Sequence, residues 1–319
     1  MTKPVIRPLR VGEHTLFQSM PEPPTVGVAL LGRDFAETMA ARQYRPEWTW
    51  VALDGDAVIA RAAWWGGPDD DAPVALDWFD PGTDPMVGAE LLRAASFTVD
   101  YHLMLPPDWR DVPDTHRAAQ ARIAAAGAAG FAPVLERLRY RWTPADGLPE
   151  RPARLTYHPV SDDAVLRDVM GRILIGSLDF HQRQAIEREG VEAALADDLE
   201  FLAWLPSPRD WWRLARDDAG DLAGIVIPAR NHASPIIAYV GVLPEARGHG
   251  FAYDLLAEGT HILVEQGAEI ITADTDVTNT PMAATFTRAG YPVAQRRLIL
   301  RPTGDEQRQR GGQHRRAGA

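Results

Sequence analysis

Between Tyr239 and Tyr291 a glycine-bearing turn stands between a strand and a helix, and this order constrains the chain more than any other feature. Tyr239 to Leu243 reads as extended, Pro244-Glu245-Ala246-Arg247-Gly248-His249-Gly250 as the turn, and Phe251 to about Gln266 as the helix. A second extended run, Glu269 to Thr275, leads to Asn279 and a short helix ending at Gly290. Such a turn exposes backbone N–H groups at the positive end of a helix dipole, where a phosphate or pyrophosphate can be held. Gly248 and Gly250 let the backbone turn tightly and keep side chains out of a ligand's approach, and Arg247 adds one positive charge. The spacing is neither the three-glycine dinucleotide fingerprint nor the Gly-Lys-Ser/Thr of a mononucleotide loop. On the pattern alone, an ordinary glycine turn with a solvated arginine is an equal account.

At 319 residues the chain is near the length at which one core divides into two. It has no cysteine, which excludes a disulfide framework and thiolate chemistry. Nine scattered histidines show no ligand spacing, so no metal site is expected. With 33 basic against 44 acidic residues the net charge is -11, which argues against nucleic acid as a partner. Met1-Thr2-Lys3-Pro4 runs straight into a strand-like Val5 to Leu9, and no apolar run approaches a membrane span. The expectation is a cytoplasmic protein without a membrane partner, monomeric or homodimeric.

Taken in order, the chain gives an α/β fold with a mixed sheet. Trp48 to Leu53 and Ala57 to Trp65 flank Asp54-Gly55-Asp56, a hairpin signal. Val74 to Phe79 reads as a strand, Gly88 to Ser96 as a helix, Tyr101 to Leu105 as a strand, His116 to Ala129 as an Ala-rich helix and Val134 to Trp142 as a strand. Pro144, Gly147, Pro149 and Pro152 mark 143–152 as a connector. Beyond it, Leu155 to Tyr157 is extended, Ser161-Asp162-Asp163 caps a helix towards Leu174, and Glu187 to Trp204 is helical with an interruption near Gly190. Trp211 to Arg216 and Leu222 to Pro228 form a second hairpin. The halves match in outline, which supports an internal duplication with domains 1–146 and 153–303 and a disordered tail at 304–319. Trp64-Trp65 and Trp211-Trp212 pack in the core or line a cleft.

Val242-Leu243-Pro244 followed by Arg247-Gly248-His249-Gly250-Phe251-Ala252 resembles the acetyl-CoA-binding motif of the GNAT family of N-acetyltransferases, Arg/Gln-x-x-Gly-x-Gly/Ala, with Arg247, Gly250 and Ala252 at the matching positions. Asn279, Met282, Phe286, Gly290 and Tyr291 fall at the family's spacing for the following strand and helix, and the resemblance runs from about Trp211 to Arg301. It implies two tandem GNAT domains. The first is degenerate, because its turn, Asp80 to Gly88, lacks the Arg/Gln and the small residues at motif spacing. Asp80 and Asp84 would repel a pyrophosphate, and prolines there offer no N–H.

The resemblance further implies acetyl transfer from acetyl-CoA by direct attack of a primary amine of a small molecule or an amino terminus. The amides of Gly248, His249, Gly250, Phe251, Ala252 and Tyr253 would bind the pyrophosphate. The backbone of Val240 and Val242 would pair with the pantetheine arm, and the Val242 N–H would stabilise the oxyanion. Asn279 and Phe286 would approach the cofactor. Phe286 stands where many members carry an acidic Tyr and cannot donate a proton, so Tyr291 or water would compensate. Asp274 and Asp276 either orient the amine and relay its proton or serve as a strand-end pair in turns and caps. Tyr239 is a cleft-wall or core residue. A noncatalytic acyl-CoA-binding or regulatory protein is the competing expectation.

Overall fold

The structure, a computed structural model, describes residues 3–21, 25–231 and 233–303. The tail expected to be disordered, 304–319, lies outside the described residues. The chain divides into two units, Met1–Glu136 with a return from Gln295, and Arg137–Ala294.

The first unit contains β1 (Val5–Pro8), α1 (His14–Gln18), α2 (Phe35–Ala40), β2 (Thr49–Asp54), β3 (Ala57–Trp65), β4 (Ala75–Asp80), α3 (Pro85–Ala95), β5 (Tyr101–Leu105) and α4 (Pro113–Ala128). β6 (Phe131–Trp142) carries the chain into the second unit. Strands β1 to β4 pair antiparallel in sequence order and β4 pairs parallel with β5. The two-residue Gly55-Asp56 turn joins β2 to β3, as the Asp-Gly signal predicts. Helix α4 runs through Gly127 to Ala128, its buried Ala119, Ala125 and Ala126 packing in the core with Leu91, Leu103 and Phe131. α1 and α2 were not foreseen. They hold Phe17 and Phe35, which stack at 4.1 Å between ring centroids against Tyr44 and Trp78.

The second unit contains β7 (Thr156–Pro159), α5 (Asp163–Leu174), α6 (Phe180–Glu189), α7 (Val191–Trp204), β8 (Arg213–Arg216), β9 (Leu222–Arg230), β10 (Pro235–Val242), α8 (Phe251–Glu265), β11 (Ile271–Asp276) and α9 (Thr280–Arg288). β12 (Val293–Pro302) then returns to the first unit, where Arg296 to Leu300 pair antiparallel with β5. β7 to β10 pair antiparallel, β10 pairs parallel with β11, and β11 pairs antiparallel with β6 from Arg137 onwards. Each unit thus takes its sixth strand from the other half of the sequence. The segment 143–152, expected to be a connector, lies inside the second unit. Trp142 Nε1 donates to the Gly147 carbonyl at 2.8 Å, and Arg151 grips Glu258 of α8 at 2.6 Å.

Side-chain alternation assigns the helices of the second unit to faces. Gly259 of α8 closes on Val226 and Pro228 of β9, whereas Ile173 of α5 meets Gly241 of β10, whose partner is Ile225. α5 and α8 therefore cover opposite faces. On β6, Leu138, Tyr140 and Trp142 enter the core beneath α8 and α9, which turns Arg137, Arg139 and Arg141 to the other face.

Asp77 of β4 is buried, accepting from Tyr44 Oη at 2.7 Å and from Arg33 Nη1 at 2.8 Å. Burial pushes its carboxyl up to about 6, against the pull of the Arg33 charge. Between the ordinary carboxylate range and that value the folded chain holds a proton that the unfolded chain has released. Stability contributed by this site is full below pH 4 and is lost as pH rises through 6, by up to about 3 kcal/mol. Asp77→Asn should flatten this window. Denaturant unfolding at a series of pH values should show the wild type losing stability relative to the variant from pH 4 to 7; parallel curves would contradict the assignment.

Candidate functional site

The site forms where β10 leaves β11. The two strands pair at one position, Ile236 with Thr272, and a bulge at Ala238 then shifts the register of β10 against β9. Leu243 N donates to Ala223 O at 2.9 Å, so β9 takes the polar groups of Gly241 and Leu243. By antiparallel alternation, Val240 and Val242 direct theirs to the opposite edge, which β11 has left. Gly241 is needed here: a Cβ would stand 2.7 Å from Ile173 Cδ1 and 2.8 Å from Tyr239 Cε1.

Past the strand, Pro244–Ala246 forms a 3-10 turn, and Gly248 and Gly250 take positive φ values of 86° and 77°. α8 opens on Gly250 without a side-chain cap. Among the described residues, the amides of Gly248, His249, Gly250, Phe251 and Ala252 donate to no protein acceptor. Five successive N–H groups at a helix start are a ready anion cradle. Tyr253 differs from expectation: its N–H donates to Gly250 O at 3.1 Å and its ring is buried with Arg288 stacked on it at 4.1 Å. Arg247 also differs. Its Nε donates to Val242 O at 3.3 Å, and Nη2 and Nη1 donate to Ile173 O at 3.3 Å and Gly176 O at 3.4 Å. It thereby satisfies carbonyls at the end of α5 and fastens the turn to that helix. Arg154, which has no motif to mark it, donates to His249 O at 2.9 Å and to the buried Asp254 at 2.5 Å, bracing the cradle from behind.

The remaining expected residues divide. Asn279 caps α9 through Met282 N at 3.3 Å. Phe286 is 2% exposed and stacks on Tyr140 at 4.3 Å within the core. The Tyr291 hydroxyl bonds Thr260 Oγ1 of α8 at 2.7 Å inside the same core, and burial raises its pKa further. Asp276 is buried. Its Oδ2 accepts from Phe180 N at 2.6 Å, and its Oδ1 lies 3.2 Å from Arg137 Nε. Burial, followed by the charge of Asp179, raises its carboxyl above the usual range, while Arg137 opposes. Through that bond it ties the start of α6 to the end of β11. Asp274, directly across from Arg139, keeps part of its side chain exposed. The Tyr239 hydroxyl is buried without a hydrogen-bond partner. Among the described residues no group of three metal-ligating side chains occurs, and no helix is long and apolar enough to cross a membrane.

The Acetyltransferase (GNAT) family model matches residues 178–291, a span that holds the splayed strands, the turn and α8. No curated protein matches the chain. Its fold is similar to a GCN5-related N-acetyltransferase from Sphaerobacter thermophilus, at 16% identity over 93% of this chain and 95% of that one, with a TM-score of 0.57. A GCN5-related glucosamine N-acetyltransferase region of a fungal multi-domain β-N-acetylglucosaminidase aligns at 13% identity over 94% of this chain and 38% of that one, with a TM-score of 0.50. A tandem GNAT protein from the clavulanic acid biosynthesis pathway aligns at 16% identity over 93% and 98%, with a TM-score of 0.47. Residues 178–291 thus match the Acetyltransferase (GNAT) family model, and the chain as a whole is similar in fold to a GCN5-related N-acetyltransferase.

Proposed function

We propose that this protein is an acetyl-CoA-dependent N-acetyltransferase whose acceptor is a primary amine of a small molecule or an amino terminus. The observation that carries the reading is the run of amides from Gly248 to Ala252 without acceptors among the described residues, beside a strand edge from which β11 has diverged. These groups fit a diphosphate followed by an amide-bearing arm. The amides would hold the first and the Val240 and Val242 edge the second. When bound, acetyl-CoA supplies the thioester whose carbonyl carbon an amine attacks. The chain supplies the Val242 N–H to polarise that carbonyl, its own C=O being engaged by Arg247. Asp274, partly exposed and 3.7 Å from Arg139, would orient the amine and pass its proton to water. Phe286 and Tyr291 bring no proton to the departing thiolate, and a thiolate is a stable enough leaving group to depart without one. A soluble amine, rather than nucleic acid or membrane, is the partner in this reading, and the cytoplasm the place.

Cofactor binding is assigned to the second half, 153–303, and none to the first, 1–146. In the first unit β4 and β5 also pair at one position, Leu76 with Tyr101, yet the gap is closed by the chain itself. Arg122 of α4 donates Nε to Phe79 O at 2.9 Å and Nη2 to Asp80, which also binds Arg61 at 2.8 Å. Asp84 caps Met86 N at 2.9 Å at the start of α3. A Cβ at Gly82 would meet Ile59 O at 1.9 Å, so the turn is packed shut. Calorimetric titration should therefore give one acetyl-CoA per chain. Gly250→Val, which forces a β-branched residue into the left-handed region, should weaken binding by about tenfold or more. Two sites per chain, or unaltered affinity in the variant, would contradict the assignment.

The core positions of Phe286 and Tyr291 favour one second reading, a noncatalytic acyl-CoA-binding protein. Turnover separates them. Across a panel of primary amines, release of free CoA should match acetylated product; saturable acetyl-CoA binding without turnover would select the second reading.

A further inference from the structure

The β6–β11 pairing sets Arg139 opposite Asp274 and Arg137 opposite Asp276, on the face away from α8. This is the strip of β11 from which β10 has already diverged. The start of α6 meets it through the bond from Phe180 N to Asp276, with the Arg183 charge near the same carboxylate. Asp276 is consumed by that bond and by Arg137. Arg139 is not consumed: its side chain is 32% exposed, it makes no hydrogen bond with the described residues, and its nearest carboxylate among them, Asp274, stands 3.7 Å away. Arg137 lies beside it with Nε ion-paired to Asp276 at 3.2 Å and Nη2 3.8 Å from Asp179. By contrast, Arg151 closes on Glu258 of α8 with two hydrogen bonds, at 2.6 Å and 2.9 Å.

We infer that the acceptor carries a carboxylate as well as its amine, the carboxylate received by the guanidinium of Arg139 beside Arg137 and the amine turned to Asp274. The inference rests on the acyl-transfer reading and names its substrate class. A planar guanidinium with undirected N–H groups matches two carboxylate oxygens, a geometry that an ammonium does not offer. The flanking aspartates suit a neighbouring cationic amine and disfavour a doubly charged phosphate. Arg139 is thus a specificity residue that touches the acceptor, not a group in the bond exchange.

The test uses acceptor pairs that differ only in the carboxylate, an α-amino acid and the amine obtained from it by decarboxylation. The full chain with acetyl-CoA should favour the carboxylated member by about tenfold or more in kcat/KM. Arg139→Met should collapse that preference by raising KM for the carboxylated member about 10- to 100-fold, with Arg139→Lys intermediate. Thermal unfolding and acetyl-CoA titration of each variant separate loss of fold from loss of recognition. A wild type that turns over the decarboxylated members equally well, or turns over no carboxylated member while binding acetyl-CoA, overturns the inference and leaves the cofactor assignment standing. So does an Arg139→Met effect equal on both members. Failure of acetyl-CoA itself to bind removes the underlying reading as well.

Discussion

The divergence of β10 from β11 after a single paired residue is the constraint on which the rest of the second unit depends. Parallel strands ordinarily continue their ladder, because each unmade backbone bond in a buried place costs about 1–3 kcal/mol. The bulge at Ala238 and the side-chain-free Gly241 turn the strand away, and Ile173 of α5 takes up the space against it. What remains is an edge whose N–H and C=O groups face a gap, leading straight to a helix start whose first amides are also without acceptors. The two features share one direction. A ligand able to satisfy both must present an anion at one end and amide-like donors and acceptors along its length.

The first unit shows what the same architecture becomes when side chains complete it. Its strands splay in the same way, and the register of β4 slips between Ala63 and Trp64 of its partner. There the carbonyl of Phe79 is satisfied by Arg122, and Asp80 is held between Arg122 and Arg61. Buried charges of this kind are costly unless each is paired, and removing one member leaves the others stranded. The pairing therefore closes the gap from within. At the helix start, Asp84 does for α3 what no side chain does for α8. The two helix starts are thus completed in opposite ways, one by its own side chain and one without any.

Much of this was legible in the residues. The hairpins around Gly55 and Gly220, the strand–turn–helix at Gly248 and Gly250, and the break at Gly190 are local signals, and local geometry follows them. Asp80 and Asp84 pointed to a first turn hostile to pyrophosphate, and the structure adds that each has a pairing or capping task. What stayed hidden depends on distance in sequence. Arg122 and Arg154 look like surface arginines until the fold brings Phe79, Asp80 and Asp254 to them. The exchange of β6 and β12 leaves no periodic mark, since a strand reads the same whichever sheet it joins. Phe286 and Tyr291 fall at family spacing, yet helical phase and the Tyr140 and Thr260 side chains turn both into the core.

The central claim is that the backbone donors from Gly248 to Ala252 receive the diphosphate of coenzyme A. Amide resonances of the deuterated chain, followed during titration with CoA, test it most directly. The account predicts saturable downfield shifts at Gly248, His249, Gly250, Phe251 and Ala252, with Val240 and Val242 moving in step and the turn after β4 unaffected. Shifts confined to other residues while these amides stay still would contradict it.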